Sequence, residues 1–282
     1  MASVAFLGTG LLGSGMVEAM RRNGWRVTAW NRTERKARAL ERLGVAVAAT
    51  PAAAVSGADR VHMTLPDDAV VDQIVDGILP QLSPGAVIVD HSTTSPKGTK
   101  ARLERMQRLG VAFLHAPVFM SPQMARDAIG LMMVSGPRDV YDRVAGDLQK
   151  MTGEVWYVGE RADLAASYKL FGNSMLFVIT AGLADVFAMA RANGVPPADA
   201  VGVFEKFKVA SVIGYRGAKM ARGDFSAMFE MTMARKDIRL MLEAAAGQPL
   251  TVLPPIAARM DEAIAQGRGS EDLGAIAAEL VR

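Results

Sequence analysis

The chain has 282 residues, half of them hydrophobic and 22% charged, enough apolar surface for one large core or two ordinary ones. That balance excludes disordered, coiled-coil and collagen-like chains. With 32 basic and 29 acidic side chains the net charge is only +3, and the absence of cysteine excludes disulfides, Cys-bound zinc, iron–sulfur clusters and thiol nucleophiles.

The opening residues 1–8 carry no basic start and no long apolar run, so no signal peptide is expected. The apolar run over 4–7 ends at Gly8, as a buried parallel strand does. Met16, Val17 and Met20 recur at helical spacing over 13–23, and Asn23-Gly24 stops that helix. A strand is predicted over 25–30 and a helix over 35–43, closed by Gly44. Strands follow at 61–65, 87–90 and 111–115, separated by helices over 67–79 and 97–109. A strand at 131–135, a helix over 138–151 and a short strand at 155–158 complete this half. The alternation predicts an α/β Rossmann domain with a doubly wound parallel sheet over residues 1–161.

Residues 162–282 read as an all-α helical domain, punctuated by Asn193-Gly194, Pro196-Pro197, Gly214, Gly223 and Pro254-Pro255. It opens with one long helix over 163–191 that is apolar around most of its circumference. Such a helix must be buried at a domain or subunit interface, so a homodimer or homotetramer is expected. Its longest apolar stretch, 175–184, is about half the ~20 residues of a membrane span. No Lys/Arg run is interleaved with aromatics. A cytoplasmic enzyme with no membrane and no nucleic-acid partner is therefore expected.

Gly8-Thr9-Gly10-Leu11-Leu12-Gly13 follows the first strand and opens the first helix. Glycines there permit a tight turn and let the backbone approach a pyrophosphate at the helix N-terminus. The spacing alone also suits a plain strand–helix turn, but strand, loop, helix and second strand stand in the order a dinucleotide site requires. The second strand ends in Asn31-Arg32-Thr33, where an NAD site places Asp or Glu on the ribose. Arg32 can grip a 2′-phosphate, Asn31 and Thr33 can hydrogen-bond it, and Arg35 and Lys36 add positive field. NADP(H) is expected over NAD(H).

Lys169 and Asn173 are four residues apart, so they share one helix face and can meet one small substrate, with Gly172 leaving room beside them. A Lys on a mostly apolar helix loses solvation, which brings its pKa toward working pH. That suits a general acid protonating a carbonyl oxygen, and a general base in reverse. The bland alternative is a Lys that snorkels to solvent. His62, His91 and His115 stand at or near strand ends with no metal-ligand spacing and no acidic partners. They read as structural residues or cleft lining, and no metal is expected. The 18 methionines read as core filler.

Taken in order, these segments resemble the β-hydroxyacid dehydrogenases, the family of 3-hydroxyisobutyrate dehydrogenase and of the tartronate semialdehyde, succinic semialdehyde and glyoxylate reductases. The loop from Gly8 to Gly13, running into Gly15-Met16, is similar to the family's cofactor fingerprint. Thr64-Leu65-Pro66-Asp67-Asp68 resembles its Leu-Pro loop over the cofactor, and Asp90-His91-Ser92-Thr93-Thr94-Ser95-Pro96 its segment beside the nicotinamide. Lys169 and Asn173 match the catalytic Lys-x-x-x-Asn; Gly223-Asp224-Phe225, Phe229 and Lys236-Asp237 match the C-terminal signature. The resemblance implies that Leu65, Pro66, Thr93 and Lys236 join the glycine loop around the cofactor. It also implies that Ser92, Thr93, Phe119, Met120, Ser121, Phe229 and Asp237 face the substrate with Lys169 and Asn173.

One segment departs from the family. Its usual Asp-Ala-Pro-Val-Ser-Gly-Gly is here His115-Ala116-Pro117-Val118-Phe119-Met120-Ser121, followed by Pro122. The family's Ser-Gly-Gly offers a hydroxyl and N–H groups to a substrate carboxylate; Phe119 and Met120 add bulk, and Pro122 has no N–H. The approach to the catalytic helix, 159–168, also lacks the family's later glycines. An apolar, Met-lined pocket for a less polar or differently shaped carbonyl compound is expected. The implied reaction is NADP(H)-dependent interconversion of a small β-hydroxyacid, or related alcohol, and its aldehyde or keto form. Lys169 supplies the proton, and Asn173, Ser92 and Thr93 orient the carbonyl. Two alternatives stand beside it. Imine reductases resemble this fold but typically lack the Lys, and non-catalytic cofactor-sensing or chromatin-type relatives tend to lose the Lys and carry extra domains.

Overall fold

A computed structural model describes residues 3–281. β1 (Ser3–Leu7) explains its own apolar run: Val4 and Phe6 face one layer of helices, Ala5 and Leu7 the other. Parallel to it run β2 (Arg26–Trp30) and β3 (Ala46–Val47) on one side, and β4 (Arg60–Met63), β5 (Val87–Asp90) and β6 (Ala112–His115) on the other. β7 (Val118–Phe119) follows β6, and both pair antiparallel with β8 (Leu131–Ser135), beside which β9 (Glu154–Gly159) lies parallel. The sheet is therefore parallel-dominated rather than wholly parallel. The 120–130 link between β7 and β8 is shorter than the dozen or so residues that a parallel crossover takes.

One face is covered by α1 (Leu11–Arg22) and α7 (Arg138–Thr152), the other by α3 (Pro51–Val55), α4 (Asp68–Ile78) and α5 (Pro96–Arg108); α2 (Glu34–Arg38) follows β2 and α6 (Pro122–Asp127) packs on α1. Val71, Ile74, Val75 and Ile78 recur on α4 at helical spacing and are buried. β3, β7, α3 and α6 went beyond the expected elements, because two residues of strand or one or two turns of helix carry no readable periodicity. The helix expected over 35–43 ends at Arg38 and resumes as a single 3₁₀ turn at Glu41–Leu43.

The chain divides into two compact units at Asn173/Ser174, inside α8 (Leu164–Ala192); the change of pattern read at 161/162 lies just ahead of this helix. In the second unit, α9 (Pro197–Lys206) and α10 (Ala218–Ala221) precede α11 (Met231–Ala244) and α12 (Leu253–Ala263). Met231, Ala234 and Ile238 of α11 form a core with Ala257, Met260 and Ala263 of α12. Asp185 of α8 accepts the N–H groups of Thr251, Val252 and Leu253, tying α8 to the start of α12. Among the described residues of this unit there is no strand, only an isolated bridge between Glu230 and Asp272.

One expectation about α8 changes. Counting its whole length rather than the unbroken run 175–184, α8 is long and apolar enough to cross a membrane. One chain does not bury it, in line with its length and apolar character: Met175, Leu176, Phe177, Val178 and Ile179 are 44–67% exposed.

Candidate active site

From β1 the chain builds β2 and β3 outward, then returns to place β4 on β1's other side. Loops leaving β1 and β4 therefore diverge and open a crevice at the carboxyl ends of the strands. A cleft of about 820 Å³ lies there. Gly8, Gly10, Leu11, Leu12 and Gly13 line it, as do Asn31, Arg32 and Thr33 after β2, Leu65 and Pro66 after β4, and Ser92 and Thr93 after β5. Four loops separated in sequence thus bring most of the expected cofactor residues together. Thr9 is buried beneath them, its Oγ1 without a partner among the described residues.

Two glycines are demanded by close approach. A Cβ on Gly8, whose φ is +96°, would stand 2.2 Å from the Thr64 carbonyl oxygen, and one on Gly13 would stand 2.1 Å from that of Gly8. Gly10 faces open space. Helices α3 to α6 begin with Thr50, Asp67, Ser95 and Ser121 respectively, each side chain accepting a first-turn N–H. α1 begins instead at Gly10, with no side-chain cap and no acidic residue in its first turn. Its free N–H groups and positive dipole end fit a phosphate, so the residues present suit a dinucleotide.

At the β2 edge, Arg32 and Lys36 line the cleft and have no ion-pair partner among the described residues. Glu34, the acidic residue of that turn, is occupied by Arg38 at 2.5 Å. Asn31 lines the cleft and is also engaged within the loop. Its Oδ1 accepts the Thr9 N–H at 2.9 Å and its Nδ2 donates to the Thr33 carbonyl at 3.0 Å, so it braces the loop. An Asp there accepts but cannot donate.

The cleft's other wall is held by a network that sequence reasoning missed. Leu65 N–H donates to Ser92 Oγ (2.9 Å), Ser92 N–H to Asp90 Oδ1 (2.9 Å) and Ser95 N–H to Asp68 Oδ2 (2.8 Å). Arg102, 1% exposed, donates to Asp68 (2.9 Å) and Asp72 (2.8 Å) and lies 3.8 Å from Asp90. The signal was available: Thr99, Arg102, Leu103 and Met106 share the spacing of α5's buried face.

The three histidines are fully buried. His91 Nδ1 donates to the Ala116 carbonyl (2.8 Å), so its Nε2 accepts from His62 Nδ1 (2.9 Å). Burial pushes both below the usual histidine range, His91 to about 4. His115 does have an acidic neighbour: strand register sets it opposite Asp90, 3.6 Å away. Burial pushes the Asp90 carboxyl up, but His115 and the Ser92 N–H outweigh it and leave it below the ordinary carboxylate value.

Lys169 is half-buried, and burial lowers its pKa from the ordinary 10.5. Its Nζ stands 4.2 Å from the centre of the Phe119 ring, and no carboxylate pairs with it among the described residues. Asn173, on the same face, likewise has no side-chain hydrogen bond there. The room expected at Gly172 is filled: a Cβ there would lie 2.2 Å from Phe119 Cζ. Met120 packs toward the core instead of standing free. Ser121 caps α6, accepting Met124 N–H at 3.2 Å, and Pro122 opens that helix, where a missing N–H has no cost. Phe229, Lys236 and Asp237 belong to the second unit. There Phe229 N–H donates to Asp272 (3.1 Å), and Lys236 pairs with Asp237 at 2.8 Å.

Residues 3–159 match the family profile described as the NAD binding domain of 6-phosphogluconate dehydrogenase. Residues 164–280 match that described as NAD-binding of NADP-dependent 3-hydroxyisobutyrate dehydrogenase. Glyoxylate/succinic semialdehyde reductase 2, chloroplastic, of Arabidopsis thaliana is 28% identical over 97% of this chain and 78% of that protein. Cytokine-like nuclear factor N-PAC of Homo sapiens is 27% identical over 92% of this chain, which spans 47% of N-PAC's length. Among solved structures, an imine reductase from Pseudomonas sp. has a TM-score of 0.90 at 21% identity, covering 98% of both chains. A reductive aminase from Aspergillus terreus in complex with NADPH4, cyclohexanone and allyl amine has a TM-score of 0.88 at 23% identity, covering 99% of both. At that identity these two likenesses speak for the fold.

Proposed function

The chain belongs to the β-hydroxyacid dehydrogenase family, and from that premise we propose that it is an NAD(P)-dependent oxidoreductase. It interconverts a small β-hydroxyacid, or a related alcohol, and its aldehyde or keto form, using NADP(H). The observation that carries this reading is Lys169: half-buried, unpaired by any carboxylate among the described residues, and sharing a helix face with Asn173.

The glycine loop and the uncapped start of α1 would hold the dinucleotide's diphosphate, and Arg32 with Lys36 its 2′-phosphate. When bound, the dinucleotide supplies or accepts hydride. Lys169 Nζ gives a proton to the carbonyl oxygen in reduction and takes one from the hydroxyl in oxidation. Burial makes that proton easier to release than from a solvated lysine. Asn173, Thr93 and Ser92 orient the oxygen. Reduction needs Lys169 protonated, so its rate falls as pH rises through the lowered pKa, while oxidation rises over the same window.

The test is NADPH and NADH oxidation over aldehydes, keto acids and cyclic imines, with Lys169→Ala alongside. Carbonyl reduction falls about 10²–10⁴-fold in the variant, the range of a lost general acid. Imine turnover that survives the variant would replace this reading with an imine reductase.

The same reading places the enzyme in the cytoplasm as a homodimer or homotetramer, without nucleic-acid partners. Although α8 as a whole is long and apolar enough for a span, Lys169 and Asp185 limit its uncharged stretch to 170–184, shorter than the ~20 residues of a span. Asp185 is engaged with three backbone N–H groups. Both points favour a second copy of this chain over lipid as the cover for α8.

A further inference from the structure

Phe119 sits beside the proton donor for reasons that involve two elements. In β7 it follows the buried Val118, so its side chain leaves the opposite face of the sheet. Its ring then meets α8, where a side chain at position 172 would collide with it. Glycine inside a helix is destabilising relative to alanine, so its presence at 172 in a 29-residue helix marks the space as reserved for this ring.

We propose that Phe119 sets the charge class of the substrate, directing the site to uncharged aldehydes and ketones and against carbonyl compounds that carry a carboxylate on the same short chain. The inference rests on Lys169 as proton donor and selects the related-alcohol arm of the proposed reaction over the hydroxyacid arm. An aromatic face is electronegative: it already partners the Lys169 ammonium, 4.2 Å from its centre, so a carboxylate that pairs with that ammonium must draw it off the ring and lie against a face that repels an anion. The ring also offers no hydrogen-bond donor to replace the water a carboxylate would shed. A carboxylate admitted beside Lys169 would moreover hold the proton on it, reversing the effect of burial, whereas an uncharged carbonyl leaves that proton ready for transfer.

Butanal and succinic semialdehyde have the same chain length and differ in the carboxylate. With NADPH, the wild-type kcat/KM for butanal exceeds that for succinic semialdehyde by at least about tenfold, and Phe119→Ser lowers this ratio by at least about tenfold, within the range of one pocket contact. A wild-type preference for succinic semialdehyde, or a ratio that Phe119→Ser leaves unmoved, overturns the proposal. If neither aldehyde is reduced with either nucleotide, the proposed reaction fails by itself. Calorimetry of the NADPH-loaded protein with butyramide and butyrate then reads the Phe119 inference independently: butyramide binds at least about tenfold tighter, and Phe119→Ser erodes the difference. Equal binding of the two would overturn it. Gly172→Ala checks the packing without any activity, lowering the melting temperature in the wild type and not in the Phe119→Ser background; equal loss in both would show that the ring does not occupy that space.

Discussion

Asn31, Arg32 and His91 show how far single residues at the cleft can be read. Arg32 stands at the end of β2 with no ion partner among the described residues, available to a 2′-phosphate. Charge-assisted hydrogen bonds contribute about 1.5–3 kcal/mol, so Arg32→Ala reduces the NADPH-to-NADH ratio of kcat/KM by roughly 10–100-fold. An unchanged ratio would remove Arg32 from that role. His91 makes a stability prediction. Its pKa of about 4 lies below the usual 6.5, so the unfolded chain takes up the proton first as pH falls. Stability is then full above about pH 6.5 and is lost toward pH 4, by roughly 3 kcal/mol from this residue, with His62 acting in the same direction. Urea midpoints between pH 7 and 4.5 fall less steeply in His91→Asn than in the wild type; equal slopes would refute the assignment. Arg32 was legible in the sequence because its position and charge suffice. Asn31 was legible only as a polar residue, because its two hydrogen bonds run to Thr9 and Thr33 in a folded loop.

At the scale of elements, the cleft walls depend on helix-to-helix ties. Arg102 of α5 joins Asp68 and Asp72 of α4 and faces Asp90 at the end of β5. It thereby holds the loops after β4 and β5 in one geometry. Asp68 and Asp72 reach solvent, but Asp90 is fully buried and loses its facing cation, so Arg102→Met costs about 3 kcal/mol in chemical denaturation, the lower end for a broken buried pair. Asp72→Asn, at a carboxylate 44% exposed, costs less than about 1 kcal/mol. A similar loss in both variants would show that Arg102 contributes only as surface charge. The strands and long helices of the first half were read close to their positions because each carries enough residues to show a period. α6 was not, because Pro122 reads as a breaker until Ser121 is seen capping the helix it begins.

For the whole molecule, the unresolved quantity is apolar surface. Five consecutive residues of α8, Met175 to Ile179, are 44–67% exposed in the single chain. Contiguous apolar exposure on this scale marks an interaction site. Light scattering at micromolar concentration gives at least the mass of a dimer, and Phe177→Glu lowers it; a monomeric wild type would overturn the oligomer. The sequence alone determined the order of the longer strands and helices, the glycine loop and the Lys169–Asn173 pair. Each of these depends on neighbours within a few residues, through periodicity, turn chemistry or helix spacing. Only the tertiary structure decided the antiparallel turn at β8, the Arg102 network, the filling of the space at Gly172 and the acidic neighbour of His115. Those depend on which distant segments the sheet order brings within a few ångströms, and side-chain periodicity carries no record of that.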